Sequence, residues 1–215
     1  MQHPDFPYRL YLVTDEAACL GRDFFWVLEE SLKGGVQLVQ LREKSLGVQS
    51  FVEKALRTKE ICEKYGVPLI INDAADVVRV IGAHGLHLGQ QDLPVELAMQ
   101  RLGSHLPIGL SLDRKENLTE PGADEAWYFG VSPIYPTPTK PDTYDAWGLE
   151  GLRWLRNHTA KPLVAIGNIK TSNAASVMAH GADCLAVVSG ICSAESPAKA
   201  AESFLREIEK GINEL

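Results

Sequence analysis

The segment VPLIINDAADVVRVIGAHGLHLGQQDLP, Val67–Pro94, decides the fold. Two short apolar runs, Pro68–Ile71 and Leu86–Leu88, flank a stretch in which Ala74, Val77, Val78 and Ile81 recur at i, i+3, i+4 and i+7. That spacing is one apolar face of a helix. A strand, a crossover helix and a second strand with only a few linking residues make a parallel βαβ unit. An acid follows each strand, Asp73 after the first and Asp92 after the second. Neighbouring parallel strands lie about 4.8 Å apart, so both carboxylates can reach one spot at the same sheet edge. With Asn72 and Gln90 nearby, two converging acids suit a hard, oxygen-preferring cation such as Mg²⁺. The competing reading makes Asp73 the cap of the helix starting at Ala74 and Asp92 the punctuation before Pro94. This stretch alone does not separate the two.

Outward from it, the same alternation repeats in both directions. Arg9–Thr14 and Val36–Leu41 are strands, each followed by a helical stripe: Phe24, Val27, Leu28 and Leu32, then Val48, Phe51, Val52, Ala55, Leu56 and Cys62. Gly34 and Gly35 end the first stripe, where a helix C-terminus favours glycine. Beyond Pro94 come the stripe Val95, Ala98, Met99 and Leu102, the strand Pro107–Leu110, a weaker helical segment from Arg114 to Leu118, and the strand Ala126–Val131. Ser132–Trp147 interrupts the rhythm with Pro133, Pro136, Pro138 and Pro141, which exclude helix and interior strand. A loop of that length in a compact chain is usually functional or disordered. Leu149, Leu152 and Leu155 resume the helical period. Pro162–Ile166, the stripe through Ala174, Val177 and Met178, and Asp183–Val188 follow, and an amphipathic segment from Ala198 to Ile212 ends the series. Eight such alternations in 215 residues predict an α/β fold, a (β/α)8 TIM barrel spanning residues 1–215 as one domain. An open doubly wound sheet is the alternative.

Composition narrows the function class. With 45% apolar and 23% charged residues the chain has the balance of a globular protein. A net charge of -7 with no basic stripe argues against nucleic acid or a membrane surface as partner. Cys19, Cys62, Cys184 and Cys192 are scattered, suggesting neither a disulfide framework nor a zinc site. Met1–Arg9 is polar and does not resemble a signal peptide, and no apolar run reaches the length of a membrane span. A cytoplasmic location is expected. The sequence leaves the oligomeric state, a homo-oligomer included, open.

In a barrel the residues just past the strand C-termini share one mouth. There the sequence places Arg42 and Lys44, Asn72 and Asp73, Gln90 and Asp92, Ser111, then Thr137, Thr139 and Lys140, Gly167, and Ser189 with Gly190. Arg42, Lys44 and Lys140 beside two acids point to an anionic ligand accompanying the metal, most simply a phosphate or pyrophosphate. Gly167-Asn168 and Ser189-Gly190 are small turns whose backbone N–H groups can hold a second phosphate. The plainer alternatives are tight turns for the glycines, a solvated charge pair around Glu43 for Arg42 and Lys44, and loop decoration for the threonines. His84 and His87 flank the entry to the fourth strand, away from the mouth or inside the strand, and read as structural. No Ser-His-Asp or Cys-His arrangement stands out.

These residues resemble the thiamine-phosphate synthase family. QLREK at 40–44, IND at 71–73, GLHLGQQDLP at 85–94, YPTPTK at 135–140, AIGN at 165–168 and VVSGI at 187–191 carry the resemblance in order along nearly the whole chain. It implies a (β/α)8 barrel. The implied reaction joins 4-amino-2-methyl-5-(diphosphooxymethyl)pyrimidine to a thiazole ethyl phosphate, giving thiamine phosphate and pyrophosphate. It further implies that Asp73 and Asp92 hold Mg²⁺, and that Gln40, Arg42, Lys44, Asn72, Ser111 and Lys140 bind the pyrimidine diphosphate. Thr137 and Thr139, with Gly167, Val188 and Ser189, would hold the thiazole phosphate. Arg42, Lys44, Ser111 and Lys140 are the groups expected to act on the reacting diphosphate. Three departures are visible: Asn168 where a second glycine is common, Asp113 where a histidine is frequent, and Val131-Ser132 in place of Gly-Pro. Two rivals remain, a thiazole tautomerase on a related barrel, which needs no diphosphate cradle, and a non-catalytic binder of phosphate ligands.

Overall fold

The computed structural model describes residues 3, 5–137 and 145–213. Eight parallel strands close into a barrel: β1 (Leu10–Val13), β2 (Leu38–Leu41), β3 (Leu69–Asn72), β4 (Gly85–Leu88), β5 (Ile108–Leu112), β6 (Tyr128–Val131), β7 (Leu163–Ala165) and β8 (Cys184–Val187). Each pairs with the next, and β8 returns to β1 with Tyr11 opposite Ala186. The closed ring excludes the open doubly wound sheet. It also leaves no unpaired strand edge.

Around the ring run α1 (Phe24–Lys33), α2 (Val48–Lys64), α3 (Ala75–Ile81), α4 (Val95–Leu102), α5 (Gly148–His158), α6 (Thr171–Ala179), α7 (Ser189–Cys192) and α8 (Pro197–Asn213). The expected stripes face inward: Val27, Leu28 and Leu32 of α1, Val77, Val78 and Ile81 of α3, and Ala201, Phe204 and Ile208 of α8 are buried. Between β5 and β6 the weak helical segment is a 3-10 turn, Lys115–Thr119. Asn117 fixes it, its Oδ1 accepting from the amides of Asp113 and Arg114 at 3.0 and 2.9 Å.

Side-chain parity divides the core in two. Leu10 and Leu12, Val39 and Leu41, Leu69 and Ile71, and Leu86 and Leu88 face the helices in one apolar layer. Tyr11, Val13, Leu38, Ile70, Tyr128, Val164, Cys184 and Ala186 fill the lumen. Because both faces of a parallel barrel strand are buried, the strands read as near-continuous apolar runs. At the strand N-termini Phe6 seals the lumen floor, its ring 5.3 Å from Tyr128 and 4.9 Å from Trp127. Gly109 of β5 makes room for Tyr128: a Cβ there would lie 2.2 Å from its Cζ.

Strand bounds differ from the expected ones by a residue or two, with one functional consequence. Asn72 and Ser111 are the last or next-to-last residues of their strands, not loop residues. They are therefore held by the barrel ladder and are buried.

Candidate active site

A cavity of about 630 Å³ opens over the C-terminal ends of the strands, within the range of small-molecule sites. Gln40, Arg42, Lys44, Asn72, Asp73, Asp92 and Ser111 all line it. The structure therefore brings together, from four strands, most of the residues expected at the mouth.

The two acids meet. Asp73 leaves β3 in a left-handed conformation, φ 60°, uncommon for a residue with a Cβ but tolerated by aspartate. Its carboxyl group lies against that of Asp92 and is paired with the Lys44 ammonium. Asp92 Oδ2 also accepts from the Gly89 amide at 2.7 Å. Neither acid caps a helix: the N-cap of α3 is Ala74, with no side-chain cap bond. The plainer reading of Asp73 is thus overturned. Burial, then the neighbouring Asp73, push the Asp92 carboxyl above its usual range. For Asp73 burial acts in the same direction, but the contacts to Asp92 and Lys44 outweigh it and lower the carboxyl. Two carboxyls in contact resist ionising together, and the Lys44 ammonium offsets part of that repulsion at Asp73.

A divalent cation between the two carboxylates would relieve the rest. Among the described residues no group of three or more His, Cys, Asp or Glu is placed to hold a metal. Two carboxylates alone fit Mg²⁺, which keeps waters and takes substrate phosphate oxygens for its remaining positions.

The loop after β2 sorts its charges by side. Arg42 and Lys44 turn to the cavity, while Glu43 turns the other way and pairs with Lys54 of α2, the two side chains 8% and 10% exposed. The alternative of a solvated charge pair around Glu43 does not describe this loop. The Arg42 amide is tied to Thr14 Oγ1 at 3.2 Å. Gln90, which the sequence places beside the metal, spends its amide nitrogen on the Ser111 carbonyl.

The second half of the mouth is less enclosed. The cavity lining ends at Ile166 and Ala186, and Gly167, Val188 and Ser189 lie beyond it on the same rim. Gly167 has φ 109°, and a Cβ there would sit 2.7 Å from Pro133 Cβ, so glycine is required. Its carbonyl accepts from Tyr135 at 3.2 Å, and Ile134 donates to Ile166 at 2.8 Å, pinning the start of the Pro-rich loop to the strand-seven turn. Asn168 takes φ 52°, a left-handed conformation asparagine accepts more readily than most residues, and bonds the Pro136 carbonyl at 3.1 Å. The departure from glycine there therefore leaves the turn intact. Half-buried Thr137 follows this anchored segment. Thr139 and Lys140 lie outside the described residues.

Sequence reasoning missed His87. His84 lies at the strand N-termini against Trp127, with ring centroids 5.9 Å apart. His87 instead points into the lumen, lines the cavity and touches Ser111, Nε2 to Oγ 3.0 Å. Its alternation with Leu86 and Leu88 was the available signal. The fold also unites Cys19 and Cys192, whose thiols are in contact, although both remain free.

The comparisons with known proteins agree with this geometry. A family model described as thiamine monophosphate synthase matches residues 10–191. The thiamine-phosphate synthase of Albidiferax ferrireducens is 48% identical over 193 residues, covering 90% of this chain and 88% of that protein. The Vibrio parahaemolyticus thiamine-phosphate synthase is 46% identical over 198 residues, 92% of this chain and 97% of its own length. Thiamine phosphate pyrophosphorylase from Pyrococcus furiosus superposes with a TM-score of 0.86 at 30% identity, covering 95% of this chain and 97% of that one. With a closed eight-stranded barrel, two touching acids and a cationic rim, the chain belongs to the thiamine monophosphate synthase family.

Proposed function

We propose that this protein joins 4-amino-2-methyl-5-(diphosphooxymethyl)pyrimidine to thiazole ethyl phosphate, releasing pyrophosphate and forming thiamine phosphate, with Mg²⁺ held by Asp73 and Asp92. The observation that carries the reading is the convergence of Lys44, Asp73 and Asp92, with Arg42, on one cavity. Bound Mg²⁺ would draw charge from the diphosphate oxygens. Arg42 and Lys44 add positive charge around the same leaving group, joined by Lys140 as the family pattern implies. The C–O bond to the pyrimidine methylene breaks, and its electron pair leaves with pyrophosphate. The electron-rich aminopyrimidine stabilises the resulting methylene cation, and the thiazole nitrogen donates its lone pair to form the new C–N bond. Gln40, Asn72 and Ser111 orient the pyrimidine from the lumen. Thr137, Thr139 and the backbone at Gly167, Val188 and Ser189 hold the thiazole phosphate. A side-chain nucleophile is not needed, because the work is charge neutralisation and proximity.

A thiazole tautomerase would have no use for two acids and two cations placed for a diphosphate. Four buried, free cysteines fit a reducing compartment such as the cytoplasm. Purified protein given both substrates with Mg²⁺ is expected to form thiamine phosphate by mass spectrometry, and EDTA should stop it. Isomerisation of the thiazole phosphate alone would favour the tautomerase. Binding without turnover would favour the non-catalytic reading.

A further inference from the structure

Along the cavity floor a chain of polar side chains crosses the barrel lumen. Gln40 Nε2 donates to the Tyr11 hydroxyl at 3.0 Å, and that hydroxyl lies 3.0 Å from the hydroxyl of Tyr128. The Tyr128 hydroxyl is 2.9 Å from His87 Nδ1, and His87 Nε2 is 3.0 Å from Ser111 Oγ. Tyr11 and Tyr128 are 1% exposed, and burial raises both phenols far above their usual range, so each keeps its proton. The imidazole stacks on the Tyr128 ring, 5.6 Å between centroids and 16° between planes.

One ordering of the protons runs the whole length of this chain. The Tyr11 oxygen accepts from Gln40, and either tyrosine hydroxyl can donate to the other; with Tyr11 as that donor, the Tyr128 hydrogen is free to turn to His87. In that arrangement His87 Nδ1 accepts from the Tyr128 hydroxyl. A neutral imidazole with an accepting Nδ1 carries its proton on Nε2, where it donates to Ser111 Oγ. The serine hydrogen is thereby released to point away from His87 and toward the cavity.

We infer that His87 is a positioning residue: locked by Tyr128 as the Nε2–H tautomer, it donates to Ser111 and turns the serine hydroxyl hydrogen toward the bound pyrimidine. This rests on the reading above that Ser111 meets that substrate. The cavity edge then offers the aminopyrimidine one hydroxyl donor in a fixed place, set through His87 by the tyrosines behind it. A hydroxyl free to rotate would have to be ordered at each turnover.

Nitrogen-15 spectra of histidine-labelled protein, with the His87 signals assigned by their loss in His87→Gln, test the tautomer without catalysis. A neutral ring protonated on Nε2 is expected; protonation on Nδ1 would overturn the inference. Kinetics test the route through Ser111. Glutamine can place its amide N–H where Nε2 stands, whereas asparagine is one carbon too short to reach Ser111. His87→Gln should stay within about threefold of the parent. His87→Asn should lose about tenfold in kcat, the worth of one hydrogen bond, at unchanged KM for the thiazole phosphate. In a Ser111→Ala background His87→Asn should cost nothing more, the non-additivity of residues acting through one contact. Additive losses, or equal damage from both His87 variants, would overturn the inference while the parent still makes thiamine phosphate. A parent that makes none refutes the function as well, and with it the link from Ser111 to the pyrimidine.

Discussion

Lys54→Met and Glu43→Gln should destabilise the protein by very different amounts. Among the described residues Glu43 has one cationic partner, Lys54, and its side chain is 8% exposed. Lys54 has two acidic partners, Glu43 and, at 2.6 Å, the exposed Glu16. Its ammonium also lies 3.9 Å from the centroid of the Phe24 ring. Lys54→Met therefore strands a carboxylate in a nearly dry site, a change that costs about 3–5 kcal/mol. The methionine keeps the alkyl packing and a sulfur–ring contact. Glu43→Gln leaves the ammonium with Glu16, the ring and a neutral amide oxygen, and should cost about 1–2 kcal/mol. For a chain of this length the first corresponds to a fall in Tm of roughly 6–20 °C and the second to roughly 2–8 °C. The double variant restores charge balance in the pocket and should be more stable than Lys54→Met alone. Urea titrations with unchanged slope measure all three as shifts in midpoint. Equal losses for the two single variants, or a double variant worse than Lys54→Met, would refute a buried pair in this loop.

Three further outcomes follow from the site and its support. Asp92→Asn should lower turnover by at least about 100-fold, since changes merely behind a metal ligand already cost up to that much; the rise in Tm that Mg²⁺ with pyrophosphate should give the parent is expected to vanish, and its persistence would remove Asp92 from the metal site. Gly109→Ala puts a methyl 2.2 Å from Tyr128 Cζ and 2.5 Å from its hydroxyl oxygen. A ring buried this deeply cannot step aside, so a loss of about 1–3 kcal/mol or more is expected in thermal melts. Burial pushes the Cys62 thiol up to about 12 and raises that of Cys184. Both stay protonated and inert to a disulfide reagent at pH 8, while all four cysteines react after denaturation; rapid release from Cys62 or Cys184 in native protein would contradict their burial.

The barrel was legible because its helices carry period-3.6 stripes and its strands are short apolar runs closed by acids or glycines. The mouth was legible because every strand ends in residues that barrels use in common. Pairings across the chain were not. Nothing in the spacing of Glu43 and Lys54, 11 residues apart, says that the acid leaves the mouth to bury itself against α2. Cys19 and Cys192 meet only because α7 packs on the 3-10 turn Ala17–Cys19. Arg22 joins those elements, donating to the carbonyls of Cys19, Cys192 and Ala194. His87 was misplaced for a different reason: the mouth was sought only beyond the strands, although the lumen's upper layer is built within them.

One rule accounts for the cavity, and one residue breaks it for a purpose. Side chains alternate across a strand, and the alternation runs on past the hydrogen-bonded ladder. Along β2, Gln40, Arg42 and Lys44 line the cavity, while Val39 and Leu41 face the helices and Glu43 reaches α2. Ser111 and Asp113 share the cavity along β5, and Tyr128, Gly130 and Ser132 along β6. By the same rule Asn72 belongs inside and Asp73 outside. Yet both line the cavity, because the left-handed turn at Asp73 swings its carboxylate back over the strand end. Unfavourable backbone geometry of this sort costs of order 1–3 kcal/mol and persists only where the surroundings hold it. Here the holders are the His87 carbonyl, which accepts the Asp73 amide at 2.9 Å, and the Lys44 ammonium on the carboxylate. An ordinary strand exit would have left Asp92 without its partner, so the strain at Asp73 and the convergence of two carboxylates have one cause.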